Sequence, residues 1–121
     1  MQNLVKLLQV IASPAYFFDK ASHRVIAVNP SFISMMQYDE QELLRMRVED
    51  FRPVEDLARL QKTLASSPPQ GKVEWRYRVR SGELVYVRLS YRDSTYFDKQ
   101  IGRRHDIRLV VISNWDTKPL Q

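Results

Sequence analysis

The 121-residue chain contains no cysteine, only three glycines and no apolar run longer than four residues. Without cysteine it forms no disulfide, has no thiolate nucleophile and offers no Cys ligand to a metal, and its expected location is a reducing cytoplasm. A membrane-spanning helix needs about 20 consecutive apolar residues, so none is predicted. Three glycines leave no Gly-rich phosphate loop, and the distant His23 and His105 provide no metal site.

The net charge of +5 is distributed unevenly along the chain. Residues 1–60 carry 7 Lys and Arg against 8 Asp and Glu, whereas residues 61–121 carry 12 against 6. A basic half attracts nucleic acid or acidic lipid, or it simply forms a solvated face of a sheet. Hydrophobic residues make up 44% and charged residues 27%, which are ordinary proportions for one globular domain of this length.

Residues 2–12 predict an amphipathic helix at the N-terminus, ended by Ser13-Pro14. Such a helix must cover an apolar surface, either the sheet of its own domain or that of a second copy. Its apolar stripe consists of Leu4, Leu7, Leu8 and Ile11.

Three further helices are predicted in the middle of the chain. Asn29 is a suitable N-cap and Pro30 suits the first helical position, where a missing N–H costs nothing. Asp39 and Glu42 have the spacing of a capping box for the next helix. Leucine spacing predicts the last of the three over residues 54–66, before a loop rich in proline and serine.

The remaining segments predict strands. Residues 15–19 and 25–29 form two short strands around a turn. Residues 72–80 alternate strictly between apolar and polar side chains, residues 84–92 return after a tight turn, and residues 106–116 form the last strand, with 95–104 as a looser connection. This order predicts an α+β domain in which one helical layer covers a five-stranded antiparallel sheet.

Five segments stand in the order and spacing of a known family's motifs: 15–19 (AYFFD), 28–32 (VNPSF), 38–44 (YDEQELL), 50–56 (DFRPVED) and 75–83 (WRYRVRSGE). They resemble, in turn, the first strand, the "N-x-x-F" helix start, the "G-Y-x-x-E-E-L" element, the "hydrophobic-x-H-P-x-D" turn and the "R-x-x-x-x-D-G" hairpin of PAS domains. The resemblance covers the chain from about residue 8 to residue 116.

The chain departs from the family pattern at several positions. Gln37 replaces the usual glycine before the Tyr, Arg52 replaces the common histidine before the Pro, and Ser81 stands where aspartate is frequent. Residues 114–116 (Asn-Trp-Asp) occupy the place of the Asp-hydrophobic-Thr exit motif, which often connects the sheet to an output helix. Because this motif is replaced, the sequence does not decide whether a signal is relayed through the exit.

The resemblance implies a sensory or dimerisation module of a larger signalling protein, such as a histidine kinase of a two-component system, a cyclic-di-nucleotide enzyme or a transcription regulator. The expected organisation is an N-terminal helix over residues 1–13, the PAS domain over 14–117 and a linker to an effector over 118–121. Residues 2–12 form the predicted helix within the first of these segments.

The family's cofactors are predicted to be absent. Flavin photochemistry in the light-sensing branch and covalent chromophores need a cysteine, and haem-binding relatives use a histidine on the pocket helices, which residues 54–66 lack. Both His23 and His105 are expected to be exposed. Non-covalent flavin remains open, because Trp75, Tyr77 and Asn114 offer stacking and hydrogen bonding.

A small organic ligand in an apolar pocket is the remaining sensory option, and a packed hydrophobic core without a ligand is the alternative. Ser113 and Tyr77 are the candidate polar anchors. The candidate lining residues, taken from inward periodicity and the resemblance, are Phe18, Ile26, Val28, Phe32, Met36, Leu57, Leu60, Trp75, Tyr77, Val87, Leu89, Val111 and Ser113.

A homodimer is the predicted assembly. The last strand is apolar on both faces, as a strand covered on both sides must be, and the N-terminal helix is a natural cover for the outer face. The predicted interface comprises Leu4, Leu7, Leu8, Ile11, Val110 and Ile112.

Catalysis and nucleic-acid binding are less favoured. The close acidic pairs are explained as helix caps and first-turn carboxylates, and no Ser/His/Asp set has a recognisable spacing, so the chain is predicted not to be an enzyme. The alternative function is a basic nucleic-acid-binding module that uses Arg76, Arg78 and Arg80, although the neighbouring aromatic side chains point to the opposite face.

Overall fold

A computed structural model describes residues 2–121; Met1, with which the predicted N-terminal segment begins, lies outside the described residues. The predicted order of helices and strands is confirmed, with two short 3-10 turns, Val48–Phe51 and Val54–Asp56, added before the last helix. The elements are α1 (Gln2–Val10), β1 (Ala15–Asp19), β2 (Val25–Val28), α2 (Pro30–Met36), α3 (Glu40–Leu44), α4 (Leu57–Ser66), β3 (Gln70–Arg78), β4 (Leu84–Asp98) and β5 (Arg103–Asp116).

The strands form one five-stranded sheet in the order β2-β1-β5-β4-β3, and every neighbouring pair is antiparallel. Tyr16 of β1 lies opposite Val110 of β5, and Trp75 of β3 lies opposite Val87 of β4. The last strand is therefore central, and it joins the N-terminal hairpin to the C-terminal strands. The predicted α+β class and antiparallel sheet are confirmed.

Residues 95–98 and 103–104 belong to paired strands and residues 99–102 form the turn between them, where a looser connection over 95–104 was predicted. β4 and β5 continue their ladder through Tyr96 opposite His105 to Asp98 opposite Arg103, and Gly102 takes a positive φ of 64° in the turn between them. Thr, Tyr and Phe at residues 95–97 favour a strand, and mixed polar side chains suit a ladder exposed to solvent. The sequence expectation was wrong here because it required apolar alternation.

The main core lies between the inner face of the sheet and α2, α3 and α4. Tyr16, Phe32, Phe51 and Tyr77 are all buried, and their ring centroids lie 4.5 to 6.5 Å apart. Tilted and edge-to-face arrangements of this kind favour contact between the positive edge of one ring and the negative face of another. The aromatic cluster fixes the distance between helices and sheet.

A second, smaller core lies on the outer face under α1. Leu8 is buried there against Phe17, Ala27 and Ile107. The sequence left open whether this helix covers the sheet of its own domain or that of a second copy. The structure shows that α1 packs on its own sheet. Leu7 and Val10 remain 61% and 79% exposed on the other side of the helix.

Asn29 connects the two layers, and its predicted role as the N-cap of α2 is confirmed. Its Oδ1 accepts hydrogen bonds from the backbone N–H groups of Ala15 and Phe32, each at 3.0 Å. Its Nδ2 donates to the carbonyl oxygens of Ile11 at 2.9 Å and Ser13 at 2.8 Å. One fully buried side chain thus holds the start of β1, the start of α2 and the segment that follows α1.

Two conformational details follow from the predicted motifs. Asp39 and Glu42 form the reciprocal capping box at the start of α3. Gln37, which stands where the family usually has glycine, ends α2 with φ at +67°, in the left-handed region that disfavours residues with a Cβ. The family's glycine has a direct physical reason here, and this chain retains the strain.

The side chains of β5 point to the opposite faces of the sheet from those that the sequence analysis predicted. Val110 and Ile112, predicted at the dimer interface, are buried in the main core, whereas Val111, predicted in the pocket, packs under α1 with Ile26. Because both sets of side chains are apolar, alternation separated them but did not show which set faces the helices. Ser113 lies at the irregularity where Arg88 pairs with Asn114 and Leu89 with Ile112, and it is exposed.

Candidate ligand site between the sheet and the last helix

A cavity of about 30 Å³ lies between α4 and the inner face of the sheet. This volume accommodates roughly one water molecule, so the interior is nearly filled by side chains in this conformation. Its lining combines aromatic rings, aliphatic side chains and two arginines: Tyr16, Phe18, Arg52, Leu60, Thr63, Leu64, Val73, Trp75, Leu89, Tyr91, Arg108 and Val110.

The structure separates the predicted pocket residues into four groups. Phe18, Leu60, Trp75 and Leu89 line the cavity itself. Ile26, Val111 and Ser113 lie away from it on the outer side, and Leu57 is half-buried at the start of α4, outside both cores. The remaining predicted residues belong to the surrounding main core: Val28, Phe32, Met36, Tyr77 and Val87.

Two tyrosines close the inner end of the site. The hydroxyls of Tyr16 and Tyr77 lie 2.8 Å apart and share a hydrogen bond, which satisfies both polar tips in the core. Burial raises the pKa of Tyr77 well above its ordinary value, Tyr16 adds to the rise, and the positive charge of Arg52 acts in the opposite direction without overcoming it. Tyr77 is therefore a neutral hydrogen-bonding group at any physiological pH.

Arg52 is the least expected member of the lining. Its side chain belongs to a residue that is only 6% exposed, and its guanidinium carbon lies 4.2 Å from the ring centroid of Tyr77, 5.1 Å from Phe51 and 5.4 Å from Trp75. Nη1 donates to the carbonyl of Val48 at 3.2 Å, whereas the buried Nε has no hydrogen-bond partner. The aromatic faces provide partial compensation for the buried charge.

Arg108 is buried as well, but its charge is neutralised. Nε and Nη2 donate to the two carboxylate oxygens of Asp93 at 2.6 and 3.1 Å, and Lys20 donates to the same carboxylate at 2.6 Å. The ring of Tyr91 lies 4.1 Å from the guanidinium carbon. Burial alone would raise the pKa of Asp93, but the hydrogen bonds from Arg108 and Lys20 outweigh it and lower that pKa.

The helix that covers the cavity is lightly attached. Leu60 is the only residue of α4 that is fully buried. Arg59 braces the helix from outside, with its guanidinium carbon 3.8 Å from the ring centroid of Trp75 and Nη2 donating to the carbonyl of Glu74 at 2.9 Å. Elements with few buried apolar contacts open at low free-energy cost, which favours movement of α4 over movement of the paired strands.

A surface cleft of about 440 Å³ adjoins the cavity at the C-terminal end of α4. Thr63, Val73 and Tyr91 line both the cleft and the cavity, and Lys62 and Lys72 flank the cleft. The cleft is therefore a route from solvent to the interior, and its rim is basic.

The arginine row proposed for nucleic acid is engaged within the domain. Arg76 donates to both carboxylate oxygens of Asp56, at 3.1 and 2.8 Å, and this hydrogen bonding lowers the pKa of Asp56 despite its partial burial. Arg80 pairs with Glu42. Arg78 is the member of the row for which the described chain shows no ion pair. A surface neutralised in this way is a poor platform for phosphates.

The two histidines are less exposed than expected, because each lies beside a carboxylate. Nδ1 of His23 is 2.9 Å from Glu49, and Nδ1 of His105 is 3.8 Å from Asp19 while its ring stacks on Tyr96 at 4.8 Å between centroids. Within residues 2–121 no three His, Cys, Asp or Glu side chains gather closely enough to hold a metal ion.

Sequence reasoning missed Arg52 and Arg108 as interior residues, because a charged side chain in a core runs against the usual partition. A signal existed for each. Arg52 stands where the family commonly has histidine before Pro53, and Arg108 alternates with Val110 and Ile112 on the same side of β5. Once the inward side of β5 is known, Arg108 is placed in the interior by periodicity alone.

In the described residues no helix is long and apolar enough to cross a membrane. The site offers a buried guanidinium, aromatic faces and aliphatic walls.

The PAS domain family model matches residues 13–105. Among solved structures, a PAS domain from a two-component sensor histidine kinase is 18% identical with a TM-score of 0.69, over 92% of both chains. A PAS domain of an HTR-like protein from Haloarcula marismortui is 20% identical with a TM-score of 0.70, over 92% of this chain and 88% of that one. The Rhodobacter sphaeroides LOV protein is 14% identical with a TM-score of 0.72, over 92% of this chain and 64% of that one. No curated protein sequence matches the chain significantly.

Proposed function

The chain belongs to the PAS domain family, and we propose that it is the sensory domain of a larger signalling protein, one that binds a small organic molecule between α4 and the sheet and pairs with a second copy of itself. Similarity of fold to a PAS domain of a sensor histidine kinase supports the signalling role. Catalysis is not part of the proposal, since the interior carries binding groups only. The cytoplasmic location, the absence of a cofactor and the division at residues 13 and 117 stay predictions.

One observation carries the ligand-binding part: the covering helix of the cavity buries a single side chain, while the cavity wall contains an incompletely bonded polar group. A core built only for stability satisfies its polar atoms. A molecule that enters beside α4 would displace this helix relative to the sheet, and the changed packing would shift the population of domain conformations. The light attachment of α4 makes that shift inexpensive.

Native mass spectrometry of the purified domain tests this part. A discrete excess mass that disappears under denaturing conditions identifies a bound molecule and begins to identify the signal. The unmodified chain mass in both conditions, from protein purified without prolonged dialysis, would count against ligand sensing. The same spectrum reports the number of chains in the assembly.

The dimer part of the proposal is now confined to the exposed side of α1. The outer core buries Leu8 and partly buries Leu4 and Ile11. Val110 and Ile112 lie inside the domain. The exposed Leu7 and Val10 therefore supply the interface. Burying one leucine at an interface contributes about 1.5–3 kcal/mol. Two copies contribute this twice in a symmetric dimer.

Leu7→Glu should therefore produce a monomer by light scattering, because a carboxylate would enter the symmetric contact opposite its own copy. Val54→Glu is the matched control, since Val54 is 71% exposed at a site remote from α1 in sequence and receives the same charge. A dimer that survives Leu7→Glu would remove α1 from the interface.

A further inference from the structure

Arg52 differs from the other arginines that face into or beside the core. Arg76 pairs with Asp56 and Arg108 pairs with Asp93, whereas Arg52 forms no ion pair with any carboxylate of the described chain. Arg52 is nonetheless buried, with only 6% of its surface exposed. The acid that its charge does reach, Asp56, is already hydrogen-bonded to Arg76. A buried charge without a directly bonded counter-charge is retained at a stability cost, so its presence calls for a compensating role.

The geometry around Arg52 defines what would compensate it. The planar guanidinium fork pairs with a planar carboxylate through two parallel hydrogen bonds, and the free Nε supplies one of the donors. The rest of the cavity is mostly aromatic and aliphatic, including Trp75, Leu60 and Leu89. A phosphate or sulfate needs more donors than this lining offers, so the lining favours an anion with an apolar body.

The cleft that leads to the cavity also favours an anion. Lys62 and Lys72 flank the cleft at the end of α4, and Thr63, Val73 and Tyr91 separate it from the cavity. The second interior arginine, Arg108, shares Asp93 with Lys20, so two cationic groups meet one carboxylate there as well. Within the described chain, the linings of the cleft and of the cavity therefore contain cationic side chains and no carboxylate.

We propose that the space between α4 and the sheet binds a small organic carboxylate, with the carboxylate on the Nε side of Arg52 and the apolar body against Trp75 and Leu60. This inference rests on the proposed ligand-sensing function and names its ligand class. Entry requires α4 to move outward, since about 30 Å³ holds no such molecule in the present conformation.

The test uses the full chain with Trp115→Phe, which removes the 45% exposed indole and leaves Trp75 at the cavity as the sole fluorescent tryptophan. Benzoate, phenylacetate and hexanoate are titrated at up to millimolar concentration, and benzamide serves as the neutral analogue of benzoate. Saturable changes in Trp75 fluorescence are expected with the carboxylates, and benzamide should bind at least about tenfold more weakly because it lacks the charge.

Arg52→Met should weaken carboxylate binding at least about tenfold and leave the fold intact, because replacing an unpaired buried charge by a hydrophobic side chain of similar length is often stabilising. Arg52→Gln provides a second neutral variant should Met disturb the packing. Arg78→Met is the matched control: Arg78 is exposed on β3 and does not line the cavity, so binding should be unchanged.

Equal carboxylate binding by wild type and both Arg52 variants overturns the proposal, as does equal binding of benzamide or the failure of all three carboxylates. Native mass spectrometry distinguishes failure of the carboxylate proposal from failure of the proposed ligand-sensing function. A bound neutral molecule would refute the carboxylate and preserve ligand sensing, whereas a protein without any excess mass that also fails to bind the three carboxylates would refute both.

Discussion

Asn29→Asp is the substitution that probes the junction of α1, β1 and α2 most sharply. The change replaces one nitrogen by oxygen and preserves the shape of the side chain. Aspartate caps a helix as well as asparagine, so the hydrogen bonds that Oδ1 accepts from Ala15 and Phe32 remain. The two bonds that Nδ2 donates to Ile11 and Ser13 become contacts between a carboxylate oxygen and carbonyl oxygens.

The expected cost is about 3 kcal/mol in the free energy of unfolding. Leaving buried polar groups without partners costs about 1–3 kcal/mol for each group, and two carbonyls are affected here. Domains of this kind are typically stable by about 5–15 kcal/mol, so the variant should still fold. Urea unfolding followed by tryptophan fluorescence measures the loss. Asn114→Asp, the same chemical change at an exposed position of β5, should alter stability by less than about 0.5 kcal/mol.

The deficit should also depend on pH in a defined direction. Burial and the facing carbonyls raise the pKa of the introduced carboxyl above its unfolded value of about 3.9. The protonated form donates one O–H and restores one of the two bonds, so the deficit is smaller below about pH 4 and grows as pH rises through the folded pKa. A deficit equal to that of Asn114→Asp, or one that does not change with pH relative to wild type, would refute the account of this junction.

Three further outcomes are expected. Gln37→Gly should stabilise the domain by about 0.5–1 kcal/mol in urea unfolding, since it relieves the left-handed conformation; destabilisation would show that the Gln37 side chain contributes more than its strain costs. The pKa values of Asp56 and Asp93 are lowered in the folded state, so their contribution to stability is complete above their ordinary pKa and is lost as pH falls below about 4 through the folded values. Urea midpoints that stay constant from pH 5 to about pH 2 would contradict this. Gly71→Ala should lower the melting temperature, because the new Cβ would lie 2.9 Å from the hydroxyl of Tyr91; an unchanged melting temperature would show that Tyr91 moves freely.

Local polar signals predicted their parts of the fold well. Asn29 with Pro30, and Asp39 with Glu42, place helix starts because each motif satisfies backbone donors within three residues of itself. These interactions need no knowledge of the rest of the chain. The same holds for the strict alternation in β3, whose Trp75 faces the core as expected.

Features that depend on contacts between distant segments could not be predicted from the sequence pattern. Both faces of β5 are apolar, so the inward position of Val110 rather than Val111 depends on register with β1, which a single strand does not encode. The interior position of Arg52 depends on the aromatic faces of Trp75 and Tyr77, which the distant strand β3 contributes. The candidate site could therefore be predicted as an apolar layer from the sequence, but its charged group could not.

Hydrogen–deuterium exchange across α4, with and without saturating benzoate, tests most directly the claim that occupancy of the interior is converted into movement of this helix. The account predicts that backbone amides of α4 change their exchange rates on binding, while those at the centre of β1 and β5 do not. Binding that leaves the exchange of α4 unaltered would contradict it.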